Sequence, residues 1–225
     1  ETIDAGTIYM GRTIMKRKTE IAYNLFYNTN PVSNELKKYT HNRAVYFDDG
    51  YCGGIVHHNI GVNGDKFVSQ SGSGGKIYSN TIVDYKNGIV LDPRGLSGFY
   101  TKLFEDEHTE AAQTEFDKFD RMFPQIREEY NTLKDYNYKI TVNNEVGNNY
   151  LINSNELKLS GDMAKNDTVK DNEYTSSYTL LKNANGNDYR LQKSDTTDKH
   201  NLIDDTFDLN EIGIQWGKEI EKSDI

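Results

Sequence analysis

The sequence predicts an α+β fold in which β-strands predominate. Short runs rich in aromatic and β-branched residues recur along most of the chain, with glycine or asparagine between them, as in short strands joined by tight turns. One stretch near residues 103–134 differs, because its apolar residues recur at intervals of three and four. We therefore expect one helical segment among strands, within a single β-rich domain that spans residues 1–225.

Strands are expected over most of the chain outside the helical segment. The first lie at residues 7–10, 13–15 and 20–27. Two strand-like runs flank Cys52 and predict a hairpin-like region. A short helix is expected at residues 33–39, where a serine is a suitable N-cap and lysines occupy the last turn. The other expected strands are residues 44–47, 55–58, 66–68, 76–78, 81–83, 88–91, 138–142, 149–152, 157–159, 178–181 and 189–191.

The helical segment carries its own break signal. Pro124 has no N–H, and its ring collides with the preceding turn of a helix. We therefore expect a break at Phe123, or a second helix that has Pro124 in its first turn. Acidic residues and His108 lie near the start of the segment, but adjacent residues of a helix point to different faces, so no metal site is expected there.

Composition and motifs exclude several classes of partner. A net charge of −9 argues against nucleic acid, whose phosphates attract clustered lysine and arginine, and against an anionic membrane surface. Residues 72–76 lack the spacing of a phosphate loop, and residues 204–210 lack the glycine and terminal glutamate of a calcium loop. We expect no cofactor and no metal. The chain opens at Glu1 without a signal peptide, so we expect a piece of a longer precursor.

Cys52 is the only cysteine, so it cannot form an internal disulfide. It follows Tyr51 and precedes Gly53 and Gly54, which allow close approach of backbone to the sulfur. Most free cysteines are buried packing residues. The alternatives are an intermolecular bridge and a reactive thiol kept for chemistry.

Gln215 favours the interpretation that Cys52 is a reactive thiol. It lies beside Trp216, the only tryptophan, near the other end of the chain. If the Cys52 thiolate attacks the Gln215 carboxamide and ammonia leaves, an internal thioester results. The pair must be held in near-attack geometry and kept dry, and Tyr51 and Trp216 could form the dry walls.

This pairing resembles the thioester domains of Gram-positive cell-surface adhesins. In that family an aromatic–Cys pair early in the domain is joined to a late Gln near a Trp, and Tyr51–Cys52 and Gln215–Trp216 occupy those places. The commoner pattern has Thr before the Gln and the Trp a few residues later. The departure points to the second class of these domains, in which a β-sandwich is inserted between the Cys52 and Gln215 segments.

The resemblance implies a single covalent attachment rather than turnover. The partner would be a host or surface protein that offers an amine, most simply that of lysine, and His57 or His58 would handle protons. It implies an extracellular, cell-wall-anchored virulence protein with neighbouring stalk domains and no direct membrane contact. The thioester pair would be Cys52 and Gln215.

Three alternatives remain open on the sequence. A cysteine hydrolase or transferase would use Cys52 with His57, His58 or His108, but such cysteines usually start a helix and adjacent strand residues face opposite sides. A non-covalent binding module, for carbohydrate or protein, resembles the ice-binding-like adhesive domains and leaves Cys52 inert. A structural stalk domain has no site. Other glutamines that could in principle pair with Cys52 are Gln70, Gln113, Gln125 and Gln192.

Overall fold

The computed structural model describes residues 4–30, 41–155, 158–159 and 166–192. Within these ranges the chain is a mixed α/β protein of parallel sheets and three α-helices. The strands are β1 (Gly6–Gly11), β2 (Glu20–Ala22), β3 (Leu25–Tyr27), β4 (Arg43–Asp48), β5 (Ile55–His57), β6 (Ile60–Gln70), β7 (Lys76–Tyr78), β8 (Thr81–Leu91), β9 (Glu145–Gly147), β10 (Tyr150–Ile152), β11 (Lys158–Leu159), β12 (Thr168–Lys170), β13 (Glu173–Thr175), β14 (Leu181–Asn183) and β15 (Asp188–Leu191). The helices are α1 (Leu96–Phe104), α2 (Glu110–Met122) and α3 (Gln125–Asp135).

Apart from β14 and β15, strands that follow each other in the chain do not pair but wind into coils with three faces. Face 1 is the parallel sheet β2–β5–β7–β9–β12. Face 2 consists of β3, the first halves of β6 and β8, then β10 and β13. Face 3 consists of β1, β4, the second halves of β6 and β8, and β11. Each coil adds one strand to each face, which is the arrangement of a parallel β-helix.

The interior is built from residues that occupy the same position in successive coils. On face 1 the inward row is Ile21, Val56, Ile77 and Val146, paired in register and each at most 6% exposed. Because the row repeats once per coil, each branched side chain packs on the one above and the one below. Burial of each such side chain contributes about 1.5–3 kcal/mol.

An asparagine ladder lines the corner between face 1 and face 2. Its members are Asn24, Asn59, Asn80, Asn149 and Asn172. Each Nδ2 donates to the Oδ1 of the next asparagine at 2.9–3.0 Å. Each of these Oδ1 atoms also accepts the backbone N–H of the preceding asparagine at 3.0–3.1 Å. The ladder therefore satisfies polar groups that the turn would otherwise bury unpaired.

The three helices form an insert between β8 and β9. The third corner is formed by the turns from face 3 to face 1 (residues 12–19, 49–54 and 71–75). The insert extends outward from this corner. Leu96, Tyr100 and Leu133 of the insert join the main core cluster. The predicted helical segment and its break are confirmed: Phe123 caps the end of α2 and Pro124 is the N-cap of α3.

The last described segment is an antiparallel hairpin, β14–β15, turned at residues 184–186. Leu181 and Leu191 of the hairpin are buried in one cluster with Val62, Val83 and Ile152, which point outward from face 2. The hairpin therefore covers an apolar outer surface that the coils leave on this face.

Several local predictions are wrong. The runs around Cys52 do not form a hairpin, because β4 pairs with β1 and β6 whereas β5 pairs with β2 and β7. Glycine and asparagine mark coil corners as well as hairpin turns, so the pattern did not separate the two. Residues 13–15 and 138–142 are corner segments rather than strands. The short helix expected at residues 33–39 lies outside the described residues.

Replacement of Asn80 by alanine should destabilise the chain strongly. The side chain of Asn80 donates to Val56 O, Tyr78 O and Asn149 Oδ1, and its Oδ1 accepts from Asn59. Loss of these bonds leaves buried backbone groups unsatisfied, at about 3 kcal/mol or more in total. Urea denaturation measures the change, with Asn185→Ala on the exposed hairpin turn as the matched control. Equal stability of the two variants would contradict the role assigned to the ladder.

Candidate functional site

Cys52 lies at the third corner, between β4 and β5, and is completely buried. Its Sγ accepts the backbone N–H of Ser73 at 3.3 Å and donates to Gly50 O at 3.4 Å. The packing here is tight, because a Cβ on Gly72 would lie 2.0 Å from Tyr51 O. Glycine is therefore needed in the neighbouring coil for the backbones to approach.

A buried ion pair lies beside the cysteine. Arg17, from the first coil, donates to Glu129 of α3 through Nη1 at 3.0 Å and Nη2 at 2.5 Å. The side chains of Arg17 and Glu129 are 3% and 0% exposed. Tyr100 of α1 donates to Glu129 Oε2 at 2.6 Å, and its hydroxyl lies 3.8 Å from Cys52 Sγ. This cluster ties the helical insert to the third corner.

The surroundings keep the thiol neutral. Burial raises the pKa of Cys52 to about 11, and the nearby Arg17 guanidinium lowers it by a smaller amount. Burial also raises the pKa of Tyr100 well above its usual value, with the charges of Cys52 and Glu129 acting in the same direction. A neutral, enclosed thiol is a poor nucleophile at neutral pH. The geometry therefore favours a packing role for Cys52 in the resting protein.

The other residues predicted to neighbour Cys52 are only partly brought to it. Tyr51 is buried beside it, but its ring stacks on Phe47 and its hydroxyl bonds Thr19 Oγ1 at 2.5 Å. His57 and His58 lie at the end of β5 and are not among the hydrogen-bonding partners of Cys52 Sγ.

Gln215 and Trp216 lie outside the described residues, so the thioester pair stays a prediction. Among the other candidate glutamines, Gln70 lies at this corner. It is fully buried, its Nε2 donates to Tyr51 O at 2.7 Å, and its Oε1 has no hydrogen-bond partner among the described residues.

The two histidines contact each other, contrary to the prediction that they face opposite sides. Their Nδ1 atoms are 2.7 Å apart. The reason is that β5 ends at His57, and His58 takes a left-handed conformation with φ 51°, which turns its ring back. His57 also bonds Glu20 Oε1 at 2.5 Å and stacks on Tyr78.

A second group of polar residues, which the sequence interpretation missed, follows the strands of face 3. Tyr9 pairs in register with Tyr46, and both point outward. Asp48 ends β4, and Asp92 follows β8 at the equivalent position of a later coil, since Phe47, Gln70 and Leu91 share one register row. An acid at the end of two strands of the same face was the available signal. This signal can be recognised only when it is known that the two strands occupy the same face in different coils.

These outward side chains form one connected network. Tyr9 donates to Asp48 Oδ2 at 3.1 Å. Arg94 Nε donates to Asp92 Oδ2 at 2.5 Å, and Arg94 Nη2 reaches Tyr46 O–H at 3.4 Å. Burial, reinforced by Asp48, raises the pKa of Tyr46 to about 12, so this phenol stays protonated. We call Tyr9, Tyr46, Asp48, Asp92 and Arg94 the face 3 row.

Comparison with known proteins assigns no family. No family model matches the chain, no curated protein matches it, and no solved structure matches it. In the part of the chain that the structure describes, no three His, Cys, Asp or Glu side chains are grouped to hold a metal ion. No helix in those ranges is long and apolar enough to span a bilayer.

Glu129→Gln should destabilise the protein by about 3–5 kcal/mol, because it leaves the buried Arg17 guanidinium without a counter-charge. Urea denaturation at pH 7 measures the change. Glu128→Gln is the matched control, since Glu128 is the exposed neighbour on the same helix. A loss in Glu129→Gln no larger than in the control would contradict the ion pair as the anchor of the insert.

The Cys52 thiol should make stability fall at high pH. Its folded pKa of about 11 lies above the ordinary 9.0, so its contribution is complete below pH 9.0 and disappears as the pH rises through 11. The contribution is roughly 2–3 kcal/mol. Denaturation midpoints between pH 8 and 11 should fall more steeply in the wild type than in Cys52→Ala. Parallel pH profiles would refute a neutral buried thiol.

Proposed function

We propose that the chain is a carbohydrate-binding β-helix that holds an extended sugar chain along face 3 without a covalent bond. The observation that carries this proposal is the face 3 row, in which two tyrosines on adjacent strands, two carboxylates that lie two strands apart and one guanidinium group share the outer side of face 3. It is the non-covalent alternative that the sequence left open.

The spacing of the row fits a polymer rather than a compact ligand. Neighbouring strands of one face lie about 4.8 Å apart, so equivalent side chains recur at that interval along the solenoid axis. Solenoids use such extended surfaces to bind long partners. A sugar chain laid along the axis would contact Tyr9, Asp48 and Asp92, which lie on different coils.

Each member of the row has a use in sugar binding. The ring of Tyr9 is 51% exposed and offers an apolar face for the C–H side of a sugar ring. The carboxylates of Asp48 and Asp92 can accept hydrogen bonds from hydroxyl groups, and Arg94 can donate. Tyr46 is buried below Arg94 and supports it.

Tyr9→Ala and Asp92→Asn should each weaken binding at least tenfold, since each removes one contact worth about 1.4 kcal/mol or more. Affinity electrophoresis in gels that contain a mannan, a β-glucan or a pectin measures the retardation. Tyr136→Ala, which removes a 40% exposed tyrosine after α3, is the control. If no polysaccharide retards the wild type, or if the row variants are retarded equally, the proposal fails.

A second candidate is hydrolysis of the bound chain, favoured by the spacing of Asp48 and Asp92. They lie two strands apart, or about 9–10 Å between backbone positions. Inverting glycosidases place their acid and base carboxyl groups roughly 6.5–9.5 Å apart. If the chain is a hydrolase, the wild type should release reducing ends from the polysaccharide, and both Asp48→Asn and Asp92→Asn should abolish this release. At least one of these variants should still be retarded in the polysaccharide gel, which shows that binding persists without hydrolysis.

Covalent attachment by an adhesin thioester is a separate proposal, together with its cell-wall location and amine-bearing partner. Its support is that Cys52 lies in an enclosed corner, which meets the requirement for water exclusion. The thioester-type fold with an inserted β-sandwich belongs to this proposal; the insert between β8 and β9 is helical.

Intact mass tests the thioester directly. The proposal predicts a deficit of about 17 Da, the ammonia lost when the thiolate acylates. The deficit should be absent in Cys52→Ala and Gln215→Ala, and methylamine should convert it to an adduct. A deficit that persists in Gln215→Ala would move the bond to another glutamine, with Gln70 as the first candidate. The full calculated mass would exclude an internal bond.

A further inference from the structure

A cavity of about 500 Å³ lies between the start of α3 and the outer side of face 1. Its lining includes Lys18, Lys76, Phe123, Gln125, Asn166 and Thr168. The volume is within the range of small-molecule sites. The cavity is on a different face from the face 3 row, so its ligand does not depend on the function proposed above.

Among the described residues that line the cavity, the positively charged side chains outnumber the negatively charged ones by one. Glu129 is paired with Arg17, and Glu145 with Lys76 at 2.8 Å. Lys18 has no carboxylate within 4.0 Å among the described residues, and its Nζ lies 5.8 Å from the centroid of the Phe123 ring. The described lining of the cavity therefore carries one uncompensated positive charge, although the chain as a whole has a net charge of −9.

The cavity lining also includes a residue, Asn166, whose side-chain amide donor has no acceptor among the described residues. Asn166 Nδ2 is buried and has no hydrogen-bond partner among the described residues, although the backbone of Asn166 is fixed by the bond from Asn143 N–H at 2.9 Å. A buried, unpaired amide donor costs about 1–3 kcal/mol, which a ligand oxygen recovers when the side chain of Asn166 turns toward the cavity. Lys18 adds a positive charge to the same lining, so a negatively charged oxygen acceptor satisfies both groups.

The rest of the lining is suited to a polar ring. The side chains of Thr168, Gln125 and Asn143 can bond hydroxyl groups, while Phe123 and Ile55 offer apolar surface for a C–H face. A simple inorganic anion would leave this surface unused, and a neutral sugar would leave Lys18 without a partner.

We propose that this cavity binds a small sugar acid. Lys18 and Asn166 hold the carboxylate, Phe123 packs against the ring, and the neighbouring hydroxyl and amide groups bond the sugar hydroxyls. Recognition is non-covalent.

Isothermal titration with D-glucuronate, D-glucose and acetate tests the proposal on the full chain. Glucuronate should bind the wild type at least tenfold more tightly than either glucose or acetate, because only glucuronate satisfies both halves of the site. Lys18→Gln should weaken glucuronate at least tenfold. Lys16→Gln should not change it, since Lys16 is also an exposed lysine, lies two residues away and does not line the cavity.

Each contrary result is decisive. Absence of glucuronate binding, equal affinity for glucose, or equal affinity for acetate would each overturn the proposal, as would unchanged affinity in Lys18→Gln. Circular dichroism confirms that the variants fold, and Asn166→Ala supplies an independent second variant that should also weaken glucuronate. The double variant Asp48→Asn/Asp92→Asn should leave the affinity for glucuronate unchanged; a loss there would place the ligand on face 3 instead.

Discussion

The asparagine ladder is the constraint on which the rest of the structure depends. A corner between two narrow sheets buries backbone N–H and C=O groups that no strand can pair, and the amide of asparagine carries both a donor and an acceptor. Stacking one asparagine on the next satisfies the turn and fixes the register of successive coils. Once the register is fixed, the aliphatic rows of the interior and the outward rows of each face follow.

That register is also what brings the polar groups of distant segments together. Arg17, Cys52 and Ser73 are corner residues of three successive coils, so they meet although they are far apart in the chain. By the same rule Asp48 and Asp92 share a face. Residues that form a site on this molecule therefore occupy equivalent positions in successive coils along the solenoid axis. Such a site can be recognised in the sequence only after the segments of successive coils have been aligned with each other.

The sequence predicted individual elements better than their partners. The alternation of β-branched and aromatic residues located most strands, and Pro124 located the helix break, because both signals are local. The parallel pairing was missed. The signal for this pairing was an asparagine that recurs two residues after a short strand. Asn59 and Asn80 are 21 positions apart, and Asn149 and Asn172 are 23 apart. The other two intervals of the ladder are 35 and 69 positions, so the repeat is irregular in the sequence. The burial of Cys52 depends on packing between coils, which single-strand patterns do not encode.

The ion pair between Arg17 and Glu129 has a consequence for how the molecule comes apart. In a plain solenoid each coil touches only its neighbours, so the ends can unravel one coil at a time. Here a contact between residues 112 positions apart joins the first coil to an insert that begins at the same corner three coils later. Fraying of the first coil must therefore break the ion pair between Arg17 and Glu129 and expose the buried third corner around Cys52. The first coils and the helices should consequently melt as one cooperative unit, with amide protons across all of them exchanging at a common rate.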